Sequence, residues 1–267
     1  MKKQFQKKWM YLAVLISAFS NVNAQNNKDT ITVQETKQDS IVSIQQNKLN
    51  YKSLIIPAVF IGYGVAGLSM NNLRQLNIST KTEINEHQPG RTILDNYTQY
   101  APAVMVYGFN AAGIKGKHNL RDRTIIYASS QLIAAAFTMP LKYLVKEERP
   151  DGSNTLSFPS GHAATAFSSA QFMFREYRDT NFWLSLSGYP FAVFTGVYRM
   201  VNDKHWLGDV VAGAGFGILS TELAYWLFPR IDTILRGEDK TKNKLSSTMV
   251  MPFYQNKTLG IGLVKNF

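Results

Sequence analysis

The stretch FPSGHAATAF (residues 158–167) combines a helix start with groups that can bind an anion. Pro159 and Ser160 precede a run of small apolar residues, a pattern typical of a helix N-terminus. The first backbone N–H groups of a helix have no intrahelical partner, and the helix dipole is positive there. Gly161 lets an anion approach this backbone closely, and His162 can give or take a proton beside it. Alone, the stretch fits a capped helix with a surface histidine equally well.

The composition fits a protein with a large apolar core and an anionic partner. The chain has 267 residues, enough for one large domain or two small ones. Hydrophobic residues make up 45% of the sequence and charged residues only 18%. A net charge of +11 favours phosphates or an anionic membrane surface as partners and does not distinguish between them. The sequence contains no cysteine, which excludes disulfides and thiolate catalysis within it.

The first fifty residues have the composition of an export signal followed by a linker. Residues 1–24 combine a lysine-rich start, a short apolar run and a small-residue VNA sequence, as a signal peptide does. An uncleaved membrane anchor is the alternative. Residues 25–50 are rich in Gln, Asn, Lys and Thr and predict a polar linker without a core of its own. We therefore expect export from the cytoplasm.

Six apolar stretches follow between residues 54 and 228, each long enough for a helix and separated from the next by a polar loop. Their density of alanine and glycine is typical of closely packed helices. The sequence therefore predicts an all-α fold, a bundle of about six helices over residues 51–230. Residues 231–267 predict a polar C-terminal tail with one or two strands.

The relation of this bundle to a membrane has two interpretations. Most of the apolar stretches are near or below the roughly 20 residues that a membrane span needs. Basic residues in alternate loops place those loops in the cytoplasm and the loops after the third and fifth stretches outside. That topology needs a cytoplasmic segment before residue 51, which conflicts with an exported signal peptide. We favour membrane association, and a soluble periplasmic bundle is the alternative.

Two further clusters carry charged side chains at the ends of predicted helices. In LKYLVKEERPDG (residues 141–152), Lys142 lies near a helix end and Arg149 follows in a loop that Pro150 turns. Alone, this cluster fits a basic helix end that complements the helix dipole.

The other cluster is YRMVNDKHWLGDVVAG (residues 198–213), in which Arg199 precedes His205 and Asp209 follows it by four positions. Residues four apart share one face of a helix, so Asp209 is expected to accept a hydrogen bond from the His205 ring. This bond would aim the other ring nitrogen outward as a nucleophile. Alone, the pair fits an ion pair that stabilises a helix start.

Taken together, KYLVKEERP, PSGH and RMVNDKHWLGD resemble the three-part signature of the type 2 phosphatidic acid phosphatase and vanadium haloperoxidase superfamily. The signature reads K-x6-RP, PSGH and SR-x5-H-x3-D. The resemblance covers about residues 51–228 and implies a six-helix core. One departure is Tyr198, which stands where the signature has the serine before the arginine.

The resemblance implies a role for each matching residue. His205 would attack phosphorus and form a phosphohistidine, Asp209 would stabilise its ring, and His162 would protonate the leaving alcohol and then activate water. The residues implied as phosphate ligands are Lys142, Arg149, Ser160, Gly161 and Arg199. Three cations and a helix terminus can neutralise the phosphate oxygens without a metal, so we expect no cofactor, and vanadate only as an inhibitor.

We therefore expect a metal-independent phosphatase, a phosphoric ester hydrolase that acts on a phosphomonoester or pyrophosphate. A lipid substrate is favoured, and the resemblance suggests phosphatidic acid, phosphatidylglycerol phosphate, undecaprenyl pyrophosphate or the phosphates of lipid A. The site would face the periplasm from the inner membrane, and no nucleic-acid partner is expected. His87, His118, Asp203 and Lys204 match no motif and are expected to be ordinary surface residues.

The sequence leaves three other functions open. A soluble periplasmic non-specific acid phosphatase is the main alternative, because the signal-like start suits it. A vanadate-dependent haloperoxidase needs further helices for which the chain has no room. A bundle that has lost catalysis would have no need of seven intact polar side chains in the site, those named above other than Gly161.

Overall fold

The structure, a computed structural model, describes residues 51–87, 89–236, 248–255 and 258–265. The chain divides into two compact units, Met1–Trp226 and Leu227–Phe267. The predicted signal peptide and linker at residues 1–50 lie outside the described residues, and the predicted domain boundaries stay predictions.

The described part of the first unit is built from helices, which confirms the predicted all-α bundle. A turn of 3-10 helix, Tyr51–Leu54, precedes them. The helices are α1 (Ile55–Gly67), α2 (Asn71–His87), α3 (Asp95–Thr98), α4 (Ala101–Ala111), α5 (Leu120–Val145), α6 (Gly161–Tyr177), α7 (Phe182–Leu186), α8 (Tyr189–Val201) and α9 (Leu207–Arg236). Each of the six apolar stretches contains a helix.

The helix count differs from the prediction in two places. The fifth apolar stretch contains two helices, α7 and α8, because the chain breaks at Gly188. A Cβ on Gly188 would lie 2.9 Å from Cβ of Pro102 and 3.1 Å from the sulfur of Met173, so the chain passes here too closely for a larger residue. The sequence does not predict helices α2 and α3, because α2 is mostly polar and α3 has only four residues.

Helices α6 and α9 pack at backbone contact near the middle of the bundle. A Cβ on Gly213 would overlap the carbonyl oxygen of Ser160, and one on Gly217 would overlap the carbonyl oxygen of Ala164. The amide of Ser160 donates a 3.0 Å hydrogen bond to the carbonyl oxygen of Asp209. The N-terminal turns of the two helices are therefore fixed side by side.

Two of the described helices, α5 and α9, are long and apolar enough to cross a membrane. A third span results if α1 and α2, which meet at a 90° bend, are counted as one. Helix α5 exposes Leu132, Met139 and Tyr143 on its outer face, whereas most of the apolar window of α9 is buried inside the protein. The apolar outer face of α5 supports membrane association.

The basic segment at residues 115–123 and the predicted site loops lie at opposite ends of helix α5 (Leu120–Val145). At one end, the amide of Lys117 donates to the carbonyl oxygen of Glu176 at the end of α6. His118, also in this loop, lies 2.7 Å from the buried Glu176 carboxylate and is only 20% exposed, so its expected surface position is wrong. At the other end, the loop after α5 meets the loop after α8, where the amide of Asp151 donates to the carbonyl oxygen of Asp203.

The second unit begins within α9 and ends in a β-hairpin. Strands β1 (Thr248–Gln255) and β2 (Thr258–Lys265) pair antiparallel, with Thr248 opposite Lys265 and Gln255 opposite Thr258.

The close packing of α6 on α9 predicts that Gly217→Ala destabilises the protein. The new methyl group would overlap α6 backbone, and overpacking of this kind costs about 1–3 kcal/mol. Gly62→Ala is the matched control, because a Cβ there meets no atom within 4 Å. We expect a lower thermal unfolding midpoint in detergent for Gly217→Ala alone, and equal midpoints would contradict this packing.

Candidate active site

The PSGH stretch forms the N-terminus of α6. Ser160 is the N-cap residue, and its Oγ accepts a 3.3 Å hydrogen bond from the amide of Ala163. Gly161 is the first residue of the helix, and a Cβ added there would meet no atom within 4 Å. The packing of the protein therefore gives no reason for glycine at this position. Open space adjoins the positive end of the helix, as an approaching anion would require.

His205 is buried in the loop before α9, and Ser157 links it to Asp209. Nδ1 of His205 lies 3.6 Å from Oδ2 of Asp209, beyond hydrogen-bond distance. Ser157 Oγ lies 3.5 Å from the same ring nitrogen and donates a 2.5 Å hydrogen bond to Asp209 Oδ2. The amide of Trp206 also donates to this carboxylate oxygen, at 2.9 Å. Asp209 thus acts on the His205 ring by charge and through Ser157.

The predicted contact between His205 and Asp209 is present at 3.6 Å, which is longer than a direct hydrogen bond, and the reason is the start of the helix. Helix α9 begins at Leu207, so His205 precedes it and does not share a helical face with Asp209. The carboxylate instead accepts from the backbone at the helix N-terminus, as a capping residue does. The catalytic roles assigned to both residues stay predictions.

Burial keeps the His205 ring neutral. It lowers the pKa of His205 to about 4, while the Asp209 carboxylate acts in the opposite direction. The ring is therefore uncharged at neutral pH, and a neutral imidazole is the form that can act as a nucleophile.

Lys142 is engaged with the backbone of the loop that leads into α6. Its ammonium group donates to the carbonyl oxygens of Leu156, Ser157 and Pro159 at 2.8, 3.4 and 2.7 Å. An ammonium group has three hydrogens, so these carbonyls account for all of them. In this structure Lys142 orders the loop, and its role as a phosphate ligand stays a prediction.

Two arginines bring partly unpaired guanidinium groups to this end of the bundle. Nε of Arg149 and Nε of Arg199 are buried and have no hydrogen-bond partner among the described residues. Nη1 of Arg199 donates a 2.9 Å hydrogen bond to Asp95. Burial, and then the nearby charge of Arg199, lowers the pKa of Arg149. Two neighbouring cations, each with a buried unpaired donor, have the charge and the donors that an oxyanion needs.

Contacts between two loops hold Arg149 and His205 at the same end of the bundle. The indole N–H of Trp206 donates to the carbonyl oxygen of Glu148 at 2.8 Å, directly before Arg149. Lys204, directly before His205, pairs with Asp151 at 2.6 Å.

Two residues of the third motif, Asp203 and Tyr198, have environments that the sequence did not predict. Asp203 is buried and pairs with Arg91, so its expected surface position is wrong. The Tyr198 ring packs on Phe194, with ring centroids 4.3 Å apart, in place of the hydroxyl contact that serine would offer.

His162 lies in the first turn of α6 and contacts a residue far away in the sequence. Its Nε2 is 2.9 Å from Oδ1 of Asn96. Burial, followed by the charge of Arg199, lowers the pKa of His162 to about 4. The structure therefore places the second histidine of the signature near the Arg199 guanidinium.

Sequence reasoning missed three residues of this site, which are Ser157, Asp95 and Asn96. Ser157 lies two positions before Pro159, so its place beside a motif was the available signal. Asp95 and Asn96 lie in a polar segment that matches no motif, and nothing in the sequence singled them out. Within the described ranges, no group of three or more His, Asp or Glu side chains is placed to hold a metal ion.

Comparison with known proteins assigns the family. Residues 123–232, which include all three motifs, match the model of the PAP2 superfamily. The matched region, residues 123–232, belongs to this superfamily, and the resemblance stated from the motifs is confirmed.

Two curated relatives share part of this sequence. The chain is 32% identical over 187 residues to a lipid A 1-phosphatase of Porphyromonas gingivalis, covering 70% of this chain and 40% of that protein. It is 37% identical over 79 residues to the bacitracin transport permease protein BcrC of Bacillus licheniformis, covering 29% of this chain and 36% of that protein. The chain thus spans about two fifths of the length of the curated relatives it matches.

Two solved structures are similar in part. LpxE of Aquifex aeolicus has 18% identity and a TM-score of 0.44, covering 56% of this chain and 94% of that one. A transmembrane PAP2-type phosphatidylglycerolphosphate phosphatase from Bacillus subtilis has 17% identity and a TM-score of 0.40, covering 72% of this chain and all of that one.

The burial of His205 predicts that acid destabilises the protein. Its pKa is about 4 when folded and about 6.5 when unfolded, so the unfolded chain binds the proton first as the pH falls. The free energy of unfolding should therefore fall between pH 6.5 and 4, by about 1.4 kcal/mol per unit of pKa difference, and level off below.

Thermal unfolding in detergent measures this dependence. The His205→Gln variant should lose less stability over that pH range than the wild type, and the exposed His87→Gln control should lose as much. Equal losses for all three proteins would show that His205 does not titrate this way.

Proposed function

We propose that the chain is a phosphatase that hydrolyses a phosphomonoester or pyrophosphate of a membrane lipid through a phosphohistidine intermediate. The observation that carries the proposal is the combination of a buried neutral His205 with two guanidinium groups, each with a buried and unpaired Nε, at one end of the bundle. The lipid A 1-phosphatase of P. gingivalis, a relative at 32% identity, supports the same class of substrate.

The phosphate would bind between the two arginines and the N-terminus of α6. Arg149 and Arg199 offer the donors, and the amides of Gly161 and His162 add the positive end of the helix dipole. Phosphoryl transfer requires mainly alignment and neutralisation of the phosphate oxygens, which these groups can supply. Lys142 would join them by exchanging one of its carbonyl partners for a phosphate oxygen.

Two proton-coupled steps complete the reaction. The neutral His205 ring attacks phosphorus, so that a P–N bond forms while the bond to the leaving oxygen breaks. His162 enters this step as the imidazolium, which the negative charge of the bound phosphate favours over the neutral ring of the free protein, and it gives that proton to the leaving oxygen. Water then attacks the phosphohistidine and His162 takes the proton of the water, which releases phosphate and restores both histidines. The positive charge that develops on His205 is stabilised by Asp209, with Ser157 between them.

Surface properties support a lipid substrate and a site outside the cytoplasm. The apolar outer face of α5 would contact acyl chains, and the site end of the bundle would then lie at a membrane surface. The basic segment at residues 115–123 lies at the opposite end of α5, and the excess of Lys and Arg typical of cytoplasmic loops favours a cytoplasmic position for that end. The active site would then face the periplasm.

A soluble periplasmic acid phosphatase is the second candidate, favoured by the signal-like sequence at residues 1–24. This candidate would leave washed membranes in carbonate, whereas the lipid phosphatase would need detergent.

Removal of the His205 side chain tests the proposed nucleophile. We expect His205→Ala to lower kcat by several orders of magnitude on a diacylglycerol phosphate in micelles, because the intermediate cannot form. The exposed His87→Ala variant is the control, and wild-type activity should persist in EDTA. Near-normal turnover by His205→Ala, or loss in EDTA that Mg²⁺ restores, would contradict the proposed mechanism.

A methyl group at Gly161 tests the proposed anion site. Gly161→Ala should unfold at the wild-type temperature, because no atom lies within 4 Å of the added Cβ. It should raise KM and the inhibition constant for vanadate at least tenfold, because the methyl group occupies the space beside the helix N-terminus. Unchanged values of both constants would place the phosphate elsewhere.

A further inference from the structure

The Asp95-Asn96 pair joins the site from outside the family signature. Both residues lie at the start of α3, before the residues 123–232 that match the PAP2 model. Asp95 is 1% exposed and accepts from Arg199 Nη1 at 2.9 Å, and Asn96 Oδ1 lies 2.9 Å from His162 Nε2. Two adjacent side chains therefore contact two separate residues of the proposed active site.

We propose that Asn96 is a positioning residue for His162, holding its ring in the orientation that transfers a proton. This inference rests on the proposed function, in which His162 protonates the leaving oxygen. The carboxamide fixes the ring through one nitrogen and leaves the other nitrogen of the imidazole free for exchange.

Neighbouring residues hold the α3 backbone that carries the exposed Asn96 side chain. The Asp95–Arg199 ion pair is buried and ties the start of α3 to α8. The Gln99 side chain donates a 2.7 Å hydrogen bond to the backbone carbonyl oxygen of Asn96. The hydroxyl of Thr98 at the end of α3 lies 2.9 Å from that of Thr195 on α8. The backbone of Asn96 therefore has a fixed position relative to Arg199, and the Asn96–His162 hydrogen bond positions the His162 ring.

Asparagine suits this role because its side chain is neutral. The charged and titratable groups that act on His162 are Arg199 from α8, Lys142 from α5, His205 from the loop before α9 and Asp95 from α3. The first three disfavour the imidazolium form and Asp95 favours it. A carboxamide adds no charge to this balance, whereas a carboxylate at hydrogen-bond distance would favour the imidazolium strongly.

Proton transfer depends on this geometry because the donor must lie within hydrogen-bond distance of the leaving oxygen. A misplacement of about 1 Å can cost on the order of 100-fold in rate. The cost should depend on the leaving group, since a stable leaving anion needs little protonation.

The test compares two substrates, a diacylglycerol phosphate with an alkoxide leaving group and p-nitrophenyl phosphate with a stable phenolate. We expect Asn96→Ala to lower kcat about 10- to 100-fold on the lipid, with KM changed less than threefold. The loss on p-nitrophenyl phosphate should be less than threefold. The control Asn202→Ala removes a carboxamide that donates to the Thr92 carbonyl oxygen instead. This variant should change kcat by the same factor on both substrates.

The near-isosteric Asn96→Asp variant gives a second readout, the pH dependence of kcat, which a purely structural role of Asn96 would not change. Its carboxylate should move the alkaline limb of the kcat profile on the lipid to higher pH, because His162 stays protonated longer. Equal losses on both substrates, or an unchanged pH profile in a folded Asn96→Asp protein, would overturn the role of Asn96. A wild-type protein inactive on both substrates would instead overturn the proposed function.

Discussion

The close contact between α6 and α9 is the constraint on which the rest of the site depends. Gly213 and Gly217 allow the α9 backbone to approach the carbonyl oxygens of Ser160 and Ala164. The Ser160–Asp209 backbone hydrogen bond then aligns the two N-terminal turns. One turn presents its free amides and the other is preceded by the buried histidine, so the proposed anion site and the proposed nucleophile lie side by side. A larger residue at either glycine would separate them.

Burial has opposite consequences for the charged groups at this end of the bundle. It keeps His205 and His162 neutral by lowering the pKa of each ring. Arginine cannot lose its proton in a protein, so Arg149 and Arg199 stay charged and retain buried donors without partners. The unfavourable burial of these cations is offset when an oxyanion binds between them. The same environment thus prepares a nucleophile and the charge that attracts its target.

The sequence predicted the parts of this arrangement that depend on short local patterns. The cap at Ser160, the apolar helices and the three motifs are local features, and their order gave the family. The role of Asp209 could not be derived, because a shift of two residues in the start of α9 changes which groups its carboxylate meets. The contacts of Asn96 and of Lys142 join segments that are separated in the sequence. Neither local sequence patterns nor composition can predict such contacts.

The central claim is that His205 becomes covalently phosphorylated during turnover. Rapid alkaline quench of the detergent-solubilised protein with a diacylglycerol phosphate, followed by digestion and mass spectrometry, tests it directly. We expect one acid-labile phosphoryl group on the peptide that contains His205, and none in the absence of substrate. Turnover without phosphorylation of that peptide, or a phosphoryl group on another residue, would contradict it.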